Sequence, residues 1–391
     1  MPGVDALNHH PGEVRLDIDP NWKDLKERLD PVLKGLRDGL SNVAARTVAA
    51  AANSGFALAG VQGTKVLLGL NLEEFCRDVV VRMVEQKNEV SVAKLELYAI
   101  TKSGAAQLVQ QLSVALLCSG HVRHAAAVTI AFVEECEDAG MSPMTAAACV
   151  APAVIAAVDD GHGHEVAMVQ KIMVDNGHKE EVVCMTVYIA RDMGRPDVVA
   201  IGTLDAIEAV EGGEDMAAGV AAAAMMKGFH DEVAAAAVNM NRLVSNNRND
   251  CVIKVVAAAA VQGVESNRPS DVVKVSAAMA ARGGRHVVSR SMRYMAHHNH
   301  AWKAAVVSST AIQTGYLVLT AQLIGDVILS GYLYAFFTIG FLCIVHLLLY
   351  GLVDSLVAYS TSNRIWRLKN RSTGVPCHPL DGKGLKKARK K

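Results

Sequence analysis

The stretch GHGHEVAMVQKIMVDNGHKEEV, residues 161–182, decides the fold of this chain. It contains two copies of one short phrase: a glycine, one or two polar residues, an acidic residue, and then a run rich in Ala, Val and Met. Glycine is common directly after the last turn of a helix, and an acidic side chain stabilises the first turn of the next one. Each phrase therefore predicts the end of one helix and the start of another.

The same phrase recurs along the middle of the chain. Its copies begin at Gly161, Gly177, Gly194, Gly212, Gly228, Asn247 and Asn267. This spacing leaves about 12–14 residues for each helix, so that a pair of helices occupies about 35 residues, a period typical of helical-repeat proteins. The interior has few aromatic residues to draw on, and we therefore expect a core of Ala, Val, Leu and Met.

Over about 180 residues, from Gly120 to His300, the chain resembles tetratricopeptide- and pentatricopeptide-type repeats. The segment GRPDVV at 194–199 is similar to the turn of the latter family. The resemblance implies an all-α, Ala/Val-rich, solenoid-like domain over residues 120–303. The large consensus aromatics of these families are missing, and an irregular helical domain with short loops is the alternative.

Residues 1–119 are predicted to form an N-terminal helical region. Apolar residues recur there every three or four positions, as in an amphipathic helix, at Trp22, Leu25, Leu29, Val32, Leu36 and Leu40. Pro31 lies inside this pattern and is expected to kink or split the helix. The stripe predicts a terminal helix that covers the domain, or alternatively a helix that binds a partner or a membrane surface.

Residues 304–353 contain a single charged residue, Asp326. A bilayer core accommodates about 20 apolar residues per helix, so this segment is long enough for two passes, at Val306–Ile324 and Val327–Val353. A single pass and a buried hairpin are the alternatives. Two passes leave the N-terminal domain and the tail, residues 354–391, on the cytosolic side, in keeping with the basic character of the tail.

Basic residues flank the apolar segment on both sides and are predicted to contact anionic lipid. They are Arg285, Arg290, Arg293 and Lys303 before it, and Arg364, Arg367, Lys369 and Arg371 after it. Residues 120–241 are strongly acidic by contrast, which favours basic protein partners. The candidate partner-binding acids are Asp159, Asp160, Glu180 and Glu181.

No pattern of catalytic residues, cofactor-binding motif or complete metal site is present in the sequence, and we expect a protein that is not an enzyme. Histidines cluster in three places: His121 with His124, His162 with His164 and Glu165, and His297 with His298 and His300. We interpret these as surface or turn residues. The eight cysteines are scattered, which indicates reduced thiols rather than a disulfide framework.

These observations favour a non-enzymatic scaffold or interaction protein that displays a helical domain on the cytosolic face of a membrane. Membrane lipids would contact residues 304–353, and protein partners, including further copies of the chain, would bind the helical domain. A viral structural or accessory membrane protein is the first alternative. An RNA-binding helical-repeat protein is the second; the acidic middle of the chain opposes it, although the basic tail is able to hold nucleic acid.

Overall fold

The computed structural model describes residues 20–70, 72–244, 249–317, 319–320, 337–353, 355 and 357. These residues form helices joined by short turns, and no strand occurs among them. The predicted all-α fold class is therefore confirmed. The predicted reversal between two membrane passes, and the basic tail beyond residue 357, lie outside the described residues.

The chain divides into two compact units, Met1–Ala157 and Val158–Lys391. The first contains α1 (Pro20–Asn53), α2 (Ala57–Gly69), α3 (Glu73–Glu85), α4 (Glu89–Thr101), α5 (Ala106–Cys118), α6 (Val122–Asp138) and all but the end of α7 (Pro143–Asp159). The second contains α8 (Gly163–Asp175), α9 (Lys179–Arg191), α10 (Pro196–Ala209), α11 (Gly213–Met226), α12 (His230–Leu243), α13 (Asn249–Glu265), α14 (Pro269–Ala281), α15 (Arg285–His297) and α16 (Ala301–Gln313). Helical residues 337–353 are called α17.

Within each unit a helix packs mainly against the helix two places along the chain. In the first unit α1 packs on α3 and α3 on α5, while α2 packs on α4 and α4 on α6. In the second unit one row runs α8, α10, α12, α14, α16, and the other runs α9, α11, α13, α15. This repeat-like packing of two rows agrees with the period of the recurring phrase.

The turns between helices explain the phrase itself. Its five glycines, at the positions given above, all have positive φ, between 65° and 98°, and Asn267 has φ 60°. Side chains with a Cβ atom rarely adopt this conformation, whereas glycine does so without strain. The predicted helix ends are confirmed at these six positions. The copy beginning at Asn247 lies outside the described residues.

The core is built from small and flexible apolar side chains, as expected. One cluster of the second unit consists mainly of Ala, Val and Met, including Ala234, Val252, Val287 and Met295. In the first unit, Phe132 on α6 packs with alanines and Cys136. Because each buried methylene contributes only about 0.8 kcal/mol, stability rests on many modest contacts.

The first helix differs from the sequence prediction in two ways. α1 continues through Pro31 without being split. Leu36 and Leu40, in the predicted apolar stripe, are 59% and 62% exposed, whereas Ala45 and Ala49 are buried. The covering face of α1 is thus formed by smaller residues, which allow close helix approach. The structure does not describe the side chains of the remaining stripe residues, Trp22, Leu25, Leu29 and Val32.

The first predicted membrane pass, Val306–Ile324, is wrong as placed. α16 ends at Gln313, and Gly315 follows with φ 85°. Seven residues of α16 are buried, among them Val306, Val307 and Ser309, and α16 packs on α13, α14 and α15. Protein rather than lipid surrounds them. Throughout the part of the chain that the structure describes, no helix combines the length and apolar character required to cross a bilayer.

Candidate functional site

The first of the predicted partner-binding acids, Asp159, lies in an ion-pair cluster. The Arg195 guanidinium donates to both carboxylate oxygens of Asp159, at 2.7 and 3.1 Å, and also to Asp197 at 2.9 Å. These hydrogen bonds lower the pKa of both carboxyls below the usual range for aspartate. Arg195 therefore ties the end of α7 to the start of α10, and Asp159 has a structural partner within the second unit.

Of the other three acids, Asp160 directly follows Asp159, and Glu180 and Glu181 lie on α9. Glu180 on α9 accepts a hydrogen bond from Lys227, which follows α11. Glu181 is buried, while Asp160 is exposed. Asp159, at the end of α7, and Glu180, at the start of α9, thus pair with basic residues of later repeats. The sequence does not reveal this, because the partners are 36 and 47 residues apart.

We expect the variant Arg195→Gln to raise the pKa of Asp159 and Asp197 back toward the value of 3.8 for free aspartate, because the charged donors are removed. Carboxyl resonances followed by NMR between pH 2 and 6 measure this shift. The matched control is Arg191→Gln, since Arg191 pairs with its own neighbour Asp192. Unchanged midpoints for Asp159 in the Arg195 variant would show that the cluster does not persist in solution.

Two of the predicted lipid-contacting residues are also paired with acids of the preceding repeat. Arg290 donates to Asp250 at 2.7 Å, and Lys303 donates to Glu265. Arg285 is exposed and Arg293 is partly buried on α15. The other four predicted contacts, Arg364, Arg367, Lys369 and Arg371, lie outside the described residues.

The histidine clusters lie at helix starts and ends. The rings of His121 and His124 meet edge to face, with centroids 5.4 Å apart. His162 Nδ1 lies 3.5 Å from Glu165 Oε2. The His298 ring stacks on the Tyr294 ring, with ring centroids 3.8 Å apart. In the described ranges, no group of three or more His, Cys, Asp or Glu side chains has the geometry to hold a metal ion.

The most distinctive surface of the second unit is α17. Its inner side contacts α16: His346 Nδ1 and the buried Ser309 Oγ share a hydrogen bond of 2.7 Å, and the His346 ring meets Trp302 edge to face at 5.5 Å. Cys343 is buried in the same contact region. The buried Ser309 hydroxyl thus has a partner inside the protein.

Eight large apolar side chains of α17 are exposed, and together we call them the α17 apolar surface. Phe341 is 66% and Leu348 is 68% exposed. The surface consists of Phe337, Phe341, Ile344, Leu348, Leu349, Tyr350, Leu352 and Val353. An exposed apolar patch of this extent marks a site of contact with a membrane or a partner. The sequence identified the segment by its hydropathy; it did not indicate which side packs on protein.

No protein-family model matches any part of the chain, and no curated protein matches it.

Proposed function

We propose that this chain is a non-enzymatic helical scaffold that attaches to the cytosolic face of a membrane through the α17 apolar surface. A helix that contacts α16 through His346 and exposes aromatic and aliphatic side chains offers an apolar surface suited to a membrane. The repeat-like rows of the second unit then carry binding surfaces for protein partners, as in other helical-repeat proteins.

The observation that carries this proposal is the exposure of eight large apolar side chains on one described helix. Lipid acyl chains offer this surface an apolar surrounding, and the hydrophobic contribution scales with the area removed from water. Asp159 and Glu180 are already paired within the second unit, so selection of basic partners by these acids is not part of the proposal.

The proposal is tested by flotation of the full-length chain with phosphatidylcholine–phosphatidylserine vesicles. The wild type is expected to float with the vesicles. The Leu348→Glu variant is expected to bind at least about tenfold more weakly, because a carboxylate among acyl chains costs roughly 2–3 kcal/mol. An unchanged circular dichroism spectrum shows that the variant is folded, so that weaker flotation reflects loss of the lipid contact.

The matched control is Leu70→Glu, at a residue of the first unit that is 64% exposed, nearly as much as Leu348. It introduces the same charge and removes the same side chain at a different surface. Equal vesicle binding by the wild type and the Leu348 variant, or equal losses in both variants, would contradict membrane attachment through α17. Absence of wild-type flotation would contradict it as well.

A further inference from the structure

A narrow cavity of about 110 Å³ lies between the two rows of helices in the second unit. Its walls are formed by residues from seven successive helices, α8 to α14. Four of these helices, α8, α10, α12 and α14, belong to one row, and the other three belong to the facing row. The cavity therefore runs along the repeats instead of lying within one of them.

The shape of the cavity follows from this arrangement. Packed helices are about 8–10 Å apart, so three steps from α8 to α14 correspond to roughly 25–30 Å. A cavity of about 110 Å³ whose lining extends over that length is an elongated channel. It approaches the volume of about 150 Å³ at which an engineered apolar cavity binds benzene, but its elongation suits a chain better than a ring.

The composition of the core explains why the channel exists. Its lining is dominated by alanine, valine and methionine. The alanines on α11, α12 and α13 include Ala217, Ala236, Ala237, Ala259 and Ala260. Side chains this short leave space between the two rows that leucine or phenylalanine would fill. Met216, Met225, Met240 and Met279 also line it, and methionine adapts its shape to an irregular ligand.

The hydroxyl protons in the lining are already donated to carbonyl groups of the protein. Thr186 donates to the Val182 carbonyl, and Thr203 donates to the Val199 carbonyl. Ser276 likewise donates to a carbonyl of its own helix. These hydroxyls have no further proton to offer, and water in the channel would find few partners. An apolar occupant is favoured for the same reason.

From this lining and shape we infer that the channel is a binding site for an unbranched alkyl chain, carried by an uncharged amphiphile. The remaining polar side chains of the lining are Gln170 on α8 and Glu232 on α12. The Glu232 carboxylate disfavours an anionic head group, whereas the Gln170 amide is able to hydrogen-bond a hydroxyl. The site is separate from the α17 apolar surface and does not depend on membrane attachment.

The test is calorimetric titration of the full-length protein with 1-octanol, and with cyclooctanol as the compact ring of equal carbon number. We expect saturable binding of 1-octanol with a negative heat-capacity change, the mark of apolar burial. Cyclooctanol is expected to bind at least about tenfold more weakly, because a ring does not fit a thin channel. Absence of saturable 1-octanol binding, or equal affinity for the two alcohols, would overturn the inference.

Two neighbouring alanines on α12 give a matched pair of variants. Ala236 lines the channel, whereas Ala235 does not, and both are partly buried. Ala236→Leu is expected to weaken 1-octanol binding at least about tenfold, and Ala235→Leu to leave it unchanged. Ala260→Leu repeats the test from the facing helix α13 should the first variant fold poorly. Equal binding by all three variants would show that 1-octanol lies elsewhere.

Discussion

The variant Glu96→Gln is expected to be more stable than the wild type by about 4 kcal/mol at pH 9 and to differ little from it at pH 4.5. Glu96 lies on α4 in the interior of the first unit and is 5% exposed. Among the described residues none forms a hydrogen bond or ion pair with its carboxyl group. Burial alone raises the pKa of Glu96 from 4.5 to about 8.

The direction of the pH dependence follows from this raised pKa. The folded protein holds the Glu96 proton up to about pH 8, whereas the unfolded chain releases it near pH 4.5. The contribution to stability is therefore complete below pH 4.5 and is lost as the pH rises toward 8. Glutamine has no proton to lose, so the variant lacks this decline.

The measurement is urea unfolding of both proteins at several pH values from 4.5 to 9, followed by circular dichroism. The difference in unfolding free energy between variant and wild type isolates Glu96 from the other titrating groups. Glu89→Gln, at the solvent-accessible start of the same helix, controls for loss of one carboxylate from α4. Parallel pH profiles for the Glu96 variant and the wild type would contradict the assignment of a buried proton.

The burial of α16, which covers part of the first predicted membrane pass, shows what hydropathy alone cannot predict. An Ala/Val segment with a few Ser and Thr has the same composition whether lipid or other helices surround it. In α16, Ser308 donates to Ala304 O and Thr314 donates to Thr310 O, and the apolar side chains face α13, α14 and α15. Only the packing partners distinguish the two cases, and they are distant in sequence.

The turns were predictable because their cause is local. A turn such as those at Gly177 and Gly228 depends only on the positive φ angle of the glycine and on the polar and acidic residues that begin the next helix. The buried face of α1 was not predictable in this way. Leu36 and Leu40 have the right period, but Ser41 and Ala45 have it too, and the partner helix selects the smaller side chains.

The candidate surfaces also differ in whether local sequence predicts them. Hydropathy located α17, whereas the pairing of Asp159 with Arg195, and of Glu180 with Lys227, depends on neighbouring repeats. Glu96 gives no local signal either, since its neighbours Leu95 and Leu97 do not indicate which face of α4 is buried. Its burial is a property of the packing between α4 and α6.

The variant Gly213→Ala is expected to destabilise the second unit by about 3 kcal/mol, at the upper end of what overpacking usually costs. Gly213 is the first residue of α11 and directly follows the turn glycine Gly212. A Cβ atom at Gly213 would lie 1.8 Å from the carbonyl oxygen of Ala206 and 2.5 Å from its carbonyl carbon. Backbone atoms do not rotate away as a side chain does, so α10 and α11 must separate.

The control is Gly202→Ala, in the interior of α10, the helix that precedes α11. A Cβ atom there meets no heavy atom within 4 Å, and alanine is a better helix former than glycine by about 1 kcal/mol. The same chemical change is therefore expected to raise the thermal midpoint at residue 202 and to lower it at residue 213. Thermal unfolding followed by circular dichroism measures both. Equal midpoints would mean that α10 and α11 do not approach as closely as their contact at Ala206 indicates.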